Sequence, residues 1–278
     1  MGVDRALARI LPEARRRPEK VHAAMRYAVL NGGKRLRPIL TITVADIFRA
    51  AEAPALLAAC AIEMVHCSSL ILDDLPCMDD ARLRRGRLPC HLEFGESTAI
   101  LAAFGLLNRA FQLLQEIERR GVGPRKVRAL AEQLTSAIGS DGLIGGQAID
   151  LESHAASVDF ATLEYIHSHK TGALFIASAE FGAILGDAGR KDRAAIVQYA
   201  RNLGLAFQVQ DDLLDADGMT DASGAGRPKT TFVSFAGIEG MSRLSRDLIE
   251  SSIVSLAPLG KRGAVLEAIS RQTLDRRS

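Results

Sequence analysis

In the segment RNLGLAFQVQDDLLD, Gln208, Asp211, Asp212 and Asp215 fall at i, i+3, i+4 and i+7, a spacing that gathers all four on one stripe only if the chain there is an α-helix. Their neighbours are apolar, so such a helix buries its flanks and keeps one acidic seam. The same period governs the rest of the chain. Ala, Leu, Ile and Arg recur in long segments with helical apolar spacing, and strand signals are scarce. The chain is therefore expected to be all-α. Helices are predicted near 20–30, 38–50, 54–74, 96–120, 124–139, 159–184, 190–215 and 241–256, with more helix toward the end. Breaks fall at Asn31-Gly32-Gly33, Pro54, Pro76, Arg85-Gly86, Gly121 to Pro124, Gly186 to Gly189 and Gly218 to Pro228. None is a clear interdomain linker and no solenoid repeat is visible, so residues 1–278 are expected to form a single domain.

Charge narrows the function classes. Lys+Arg 35 against Asp+Glu 33 leaves a formal net charge of only +2, without the basic excess of a nucleic-acid footprint. The four cysteines, Cys60, Cys67, Cys77 and Cys90, form no CxxC pair, and no His cluster joins them at zinc-finger spacing. The first twenty residues carry charges throughout rather than a signal-peptide apolar stretch. The best apolar run, Ala55 to Val65, is interrupted by Glu63, so no transmembrane segment is expected. These features predict a reduced, soluble, cytoplasmic protein.

A second acidic cluster ends an apolar helix: in AIEMVHCSSLILDDLPCMDD, Asp73, Asp74, Asp79 and Asp80 crowd around Pro76. Hard carboxylate oxygens are what Mg²⁺ takes, usually one or two of them with water and substrate phosphate completing the shell. A solvated helix end explains either cluster taken alone. Two acidic helices facing one cavity would instead clamp a diphosphate through several metal ions. Cations lie close by in sequence. Lys34, Arg35 and Arg37 follow the Asn31-Gly32-Gly33 turn, and Arg82, Arg84, Arg85 and Arg87 follow the first cluster, suited to phosphate by their donor geometry. Each run alone is also an ordinary solvated surface. Lys170-Thr171 and Lys229-Thr230-Thr231 each pair a cation with hydroxyl donors, and His66 lies seven residues before Asp73, on the same helix face.

The ordered set NGGKRLRP, DDLPCMDD followed by RRG, GGQAIDL, HKTGALF and FQVQDDLLD, spread from about Met25 to Val233, resembles the trans-isoprenyl diphosphate synthases. It is most similar to bacterial geranylgeranyl diphosphate synthases of carotenoid pathways. The resemblance implies an isoprenoid-synthase helical bundle around a central apolar cavity. It implies condensation of isopentenyl diphosphate with an allylic diphosphate (dimethylallyl, geranyl or farnesyl) by ionisation, attack by the homoallylic double bond, and proton loss. On this likeness Lys34, Arg37, His66 and Arg85 hold isopentenyl diphosphate, with Arg35 auxiliary, while Arg84, Lys170, Thr171, Gln208 and Lys229 hold the allylic diphosphate. Asp73, Asp74, Asp79, Asp211 and Asp215 bind Mg²⁺, three ions per site, assisted by Asp212. Gln147 and Asp150 line or support the cavity. Ser68 and Ser69, just before the first acidic motif, bear on product length, their small size implying a geranylgeranyl product. A homodimer is also implied.

Three departures stand out. Pro89 is shifted by one residue relative to the family pattern after RRG, Ala103-Phe104 stands where many members have Gly-Asp, and the loop Asp217 to Pro228 is short. Other readings are a farnesyl or longer-chain polyprenyl synthase, a terpene cyclase of the same fold, and a weakly active regulatory or partner subunit. Two complete acidic motifs together with an isopentenyl diphosphate site argue against the cyclase.

Overall fold

The computed structural model describes residues 2–153, 158–216 and 232–274, with the side chains of 215 and 233–236 left undescribed. Among the described residues thirteen α-helices follow one another: α1 (Val3–Ile10), α2 (Glu19–Leu30), α3 (Leu36–Ile47), α4 (Glu52–Asp73), α5 (Cys90–Phe94), α6 (Glu96–Arg119), α7 (Pro124–Ile138), α8 (Leu143–Glu152), α9 (Phe160–Ile166), α10 (Ala173–Leu185), α11 (Arg190–Ala216), α12 (Val233–Ser255) and α13 (Ala264–Leu274). No strand occurs among the described residues, and the one isolated bridge, Arg84 to Arg87, closes a tight turn. The all-α expectation holds.

The predicted helix 159–184 is in fact three pieces. Asp159 caps α9, its carboxylate accepting from the Thr162 amide at 2.8 Å, and a π-helical turn, His167–Gly172, separates α9 from α10. Helices α1, α5, α8 and α13 were not individually predicted. The glycines of LIGGQAIDLE hide α8 from a propensity reading, since each glycine weakens a helix by roughly 0.8–1 kcal/mol relative to alanine.

Helices α4 and α10 form the interior. Eleven of the thirteen residues of α10 are buried, and it lies against α3, α4, α7 and α11. Phe175 and Phe181 on α10 are wholly buried; truncating either to Ala would cost about 3–5 kcal/mol. One correction concerns membrane length. By length and composition alone, α4 and α6 are long and apolar enough to cross a bilayer, because one acid such as Glu63 inside α4 does not outweigh the apolar residues around it. Two thirds of that stretch of α4 is buried within the protein, and the two helices pack on each other.

Candidate active site

Pro76 stops α4, because a proline disfavours the helical conformation of the residue before it and lacks an amide to continue the ladder. The chain then folds back tightly. The Asp79 amide donates to Asp73 O at 2.9 Å, Asp80 to Leu75 O at 3.0 Å and Ala81 to Asp74 O at 3.2 Å, so Asp79 returns beside Asp73. The acids are met by cations from two directions. Lys170 Nζ donates to Asp73 Oδ1 at 3.2 Å and to Asp150 Oδ2 at 2.7 Å, and Gln147 Nε2 donates to Asp73 Oδ1 at 2.7 Å. Burial alone would lower the Lys170 pKa, but Asp73 and Asp150 outweigh it and the ammonium is held charged above its ordinary value.

Gly146 explains how Lys170 arrives there. A Cβ at Gly146 would stand 2.3 Å from the Lys170 backbone nitrogen, so only glycine lets α8 lie directly on the π turn. Gln147, the next residue, then reaches Asp73, and Asp150, three further on, reaches Lys170. A π turn widens the helix at this point, a local irregularity that recurs at functional sites.

Asp74 faces a different partner. It is 2% exposed, and Arg84 grips it: Nε donates to Oδ1 at 2.9 Å and to Oδ2 at 3.2 Å, with Nη2 also donating to Oδ1. Burial raises the Asp74 pKa and Arg84 opposes that rise. Behind this pair a small pocket opens between α2, α4 and α5, lined by Tyr27, Cys67, Ile71, Asp74, Arg84 and Cys90.

Arg84 to Arg87 form a two-residue hairpin turn in which the Arg84 amide donates to Arg87 O at 2.7 Å and the Arg87 amide to Arg84 O at 3.2 Å. Both central residues have positive φ, Arg85 at 54° and Gly86 at 72°, as a type I′ turn requires. The turn sends Arg84 inward and Arg85 across to the loop before α3. Arg85 Nη1 donates to Gly32 O at 2.6 Å, and a Cβ at Gly33 would come within 2.7 Å of its guanidinium carbon. The glycines of NGGKRLRP thus admit Arg85.

A basic pole forms on α3 and α4. Arg37 is buried, its guanidinium 4.6 Å above the Phe175 ring and its Nη1 3.5 Å from His66 Nε2, while its Nε has no hydrogen-bond partner among the described residues. Burial lowers the Arg37 pKa to about 10, against the pull of Glu63 and Asp211. Burial, then Arg37 and Arg85, push His66 well below its ordinary pKa, so the ring is neutral. Because arginine only donates, Nε2 of His66 is the accepting nitrogen. Lys34 is exposed at the edge of this pole.

On α11 and the π turn, Thr171 Oγ1 donates to Gln208 Oε1 at 3.2 Å and Gln208 Nε2 donates to Asp212 Oδ1 at 3.0 Å. Asp212 is buried, and its Oδ2 accepts from the Phe232 amide at 2.9 Å, anchoring the start of α12. Asp211 contributes its charge to the field on Arg37. Ser68 is buried, its hydroxyl donating to Ala103 O of α6 at 2.8 Å; Ser69 donates to His66 O at 2.9 Å. Lys229 and the loop Asp217 to Pro228 lie outside the described residues, as does the side chain of Asp215.

Arg35 is 8% exposed, and its guanidinium donates to Glu63, Asp4 and Val29 O. Asp74 and Asp212 are buried, accepting from Arg84 and from Gln208 and the Phe232 amide. Sequence reasoning missed Glu63, seen only as an interruption of an apolar run; an acid at the centre of a buried helix was the available signal. All four cysteines are free.

The polyprenyl synthetase family model matches residues 18–232. Geranylgeranyl pyrophosphate synthase 4 of Arabidopsis thaliana is 42% identical over 89% of this chain and 69% of that protein, and the farnesyl diphosphate synthase of Escherichia coli (strain K12) is 38% identical over 98% and 95%. Among solved structures, an FPP/GFPP synthase from Zymomonas mobilis aligns with a TM-score of 0.87 at 37% identity, covering 98% of this chain and 94% of that one. A geranyltransferase from Legionella pneumophila aligns with a TM-score of 0.87 at 32% identity, covering 99% and 92%. Relatives along nearly the whole length, together with a family match over most of it, establish that the chain belongs to the polyprenyl synthetase family.

Proposed function

We propose that the protein is an isoprenyl diphosphate synthase that condenses isopentenyl diphosphate with an allylic diphosphate, residues 1–278 acting as one catalytic unit. One observation carries this reading. Asp73 of the acidic pole and His66, which Arg37 of α3 meets at 3.5 Å, share a face of α4, seven residues apart, or about 10 Å at 1.5 Å per residue. That separation suits two diphosphates lying side by side, one drawn by carboxylates and one by arginines.

Among the described residues no three acids stand ready as a metal cage. Mg²⁺ asks for fewer, since one or two carboxylates with water and phosphate complete its shell; Asp73 and Asp79, joined through the backbone, with Asp211 from α11, fit that donor chemistry. Mg²⁺ bound there supplies charge neutralisation for a departing diphosphate. Lys170, Thr171 and Gln208 hold the allylic diphosphate on the α10–α11 side, and Lys229 belongs with them. Lys170 stays cationic in its acidic surroundings, so it stabilises charge developing on the leaving group without reorganising. Arg37, Lys34 and Arg85 hold isopentenyl diphosphate, which would give the orphaned Arg37 Nε its partner, and neutral His66 supplies a hydrogen bond without adding charge. Phe175 beneath Arg37 keeps the inner wall apolar, as a carbocation shielded from water requires.

Geranylgeranyl diphosphate is the proposed product, supported by the small Ser68 and Ser69 before the acidic motif. Farnesyl diphosphate is the second reading, favoured by the Escherichia coli relative that aligns over 98% of this chain. A homodimer is also proposed. Leu101 and Phe104 on α6 are 56% and 62% exposed, and uncharged Asn108, Gln112 and Gln115 continue that face. The test is incubation of purified protein with Mg²⁺, isopentenyl diphosphate and each allylic primer, with products identified by mass spectrometry. A C20 product is expected, a C15 product selects the second reading, and no product from any primer overturns both in favour of a partner subunit.

A further inference from the structure

The loop that carries Lys34 and leads to Arg37 in the first turn of α3 holds three residues at positive φ: Gly32 at 78°, Gly33 at 118° and Arg35 at 51°. The left-handed conformation is unfavourable for arginine, so something must hold Arg35 there. Its guanidinium is fixed from three sides. Nη1 donates to Glu63 Oε1 of α4 at 2.5 Å, Nη2 to Val29 O near the end of α2 at 2.6 Å, and Nε to Asp4 Oδ1 of α1 at 2.9 Å. Glu63 is 2% exposed and Arg35 8%. Arg35 also serves as the N-cap residue of α3, so one side chain ties four helices together at the point where the basic pole begins.

We propose that Glu63 is a positioning residue for isopentenyl diphosphate, acting through Arg35. Resting on the reading of Lys34 and Arg37 as the isopentenyl diphosphate cradle, it adds what sets that cradle. Lys34 precedes Arg35 and Arg37 follows two residues later, so the direction of both depends on Arg35 staying left-handed. Glu63 alone among the three partners supplies a buried negative charge; Asp4 is 72% exposed at its side chain and Val29 offers only a carbonyl. Glu63 has a second effect. Its charge favours the cationic form of Arg37 against burial, so the same carboxylate orients the loop and keeps its inner arginine charged. Cys67 Sγ lies 3.9 Å from Glu63 Oε1, a weak donor to the same oxygen.

The experiment is steady-state kinetics on the full chain, varying each substrate separately. Glu63→Gln keeps the shape and removes the charge. It is expected to raise KM for isopentenyl diphosphate about tenfold, equivalent to about 1.4 kcal/mol of binding, with KM for the allylic diphosphate changed less than about twofold, a split that general destabilisation would not produce. Arg35→Lys keeps the charge, loses the fork and is expected to shift the same constant in the same direction, so the idea remains testable if Glu63→Gln fails to fold. An unchanged isopentenyl diphosphate KM in a folded variant, or equal changes for both substrates, overturns the proposal. Lys34→Ala run alongside separates the two levels. If it raises that KM while Glu63→Gln does not, the cradle stands and the positioning role falls; if it changes nothing, the cradle assignment falls and the proposal with it.

Discussion

The two Asp-Asp pairs are built alike at different ends of the site, and in each the two carboxylates do different work. On α4, Asp73 meets Lys170 and Gln147 from α8 and the π turn, whereas Asp74 is buried against Arg84 of its own loop. On α11, Asp211 bears on Arg37, whereas Asp212 is buried against Gln208 and the Phe232 amide. The cause is geometric. Successive residues on an α-helix diverge by about 100°, so two adjacent aspartates cannot both face one cavity. In the first pair Lys170 meets Asp73 and Arg84 holds Asp74, whereas in the second Asp212 accepts from Gln208 and the Phe232 amide.

The largest effects should come from dividing the first pair. Asp73→Asn is expected to lower kcat by about 10³-fold, since it removes the negative charge from a proposed Mg²⁺ ligand and from the partner of Lys170, roughly 4 kcal/mol of transition-state stabilisation. Asp74→Asn should cost less catalysis and more stability, because Arg84 is left partly buried with a weaker partner; a loss of about 3–5 kcal/mol in denaturant unfolding is expected. Equal kinetic loss with unchanged stability in both variants would break the division.

The second pair should separate in the same sense with smaller amplitude. Asp211→Ala is expected to raise the Mg²⁺ concentration needed for half-maximal rate, with unfolding little changed. Asp212→Ala leaves the buried Phe232 amide without its acceptor and should cost about 1–3 kcal/mol of stability. A metal dependence that shifts more in Asp212→Ala than in Asp211→Ala would reverse the assignment on α11.

Adjacent serines extend the comparison to chain length. Ser69 lies four residues before Asp73 and shares its face, while Ser68 turns toward α6. Ser68→Phe is expected to shorten the product from C20 toward C15 by mass spectrometry, and Ser69→Phe to raise KM for the allylic primer instead. Overpacking at Ser68 should also cost about 1–3 kcal/mol, so chain length is read only from folded protein. Unchanged products in Ser68→Phe would remove it from the channel floor.

This division marks what the sequence could and could not disclose. Long helices, their order and the acidic seams were legible because 3.6-residue periodicity is written in side-chain type. That Asp73 and Asp74 part company was implicit in the same period, yet choosing which one faces inward needed Arg84 and Lys170 in space. The π turn and α8 were not legible: their cause is the contact of Gly146 with the backbone at Lys170, two segments more than twenty residues apart. The partners of Arg35 were not legible for a related reason. Its neighbours Lys34 and Arg37 share its chemistry, and only the buried Glu63 separates its role from theirs.

The smallest expected effect concerns pH and the basic pole. His66 is half-buried, and desolvation first, then Arg37, Arg85, Arg84 and Arg35, oppose its protonation, so its folded pKa lies well below the ordinary 6.5. A group whose folded pKa is depressed contributes stability at pH above the unfolded value and loses it as pH falls toward the folded one, because the unfolded chain takes up the proton first. Between pH 6.5 and about 5.5, stability should therefore fall by at most about 1 kcal/mol from this ring alone. His66→Gln should flatten that slope, measured by urea unfolding at each pH, while Asp74, whose pKa is raised and acts in the opposite sense, stays common to both proteins. An identical slope in the variant would mean that the ring is already protonated beside Arg37, and the basic pole would then be more open to water than its packing implies.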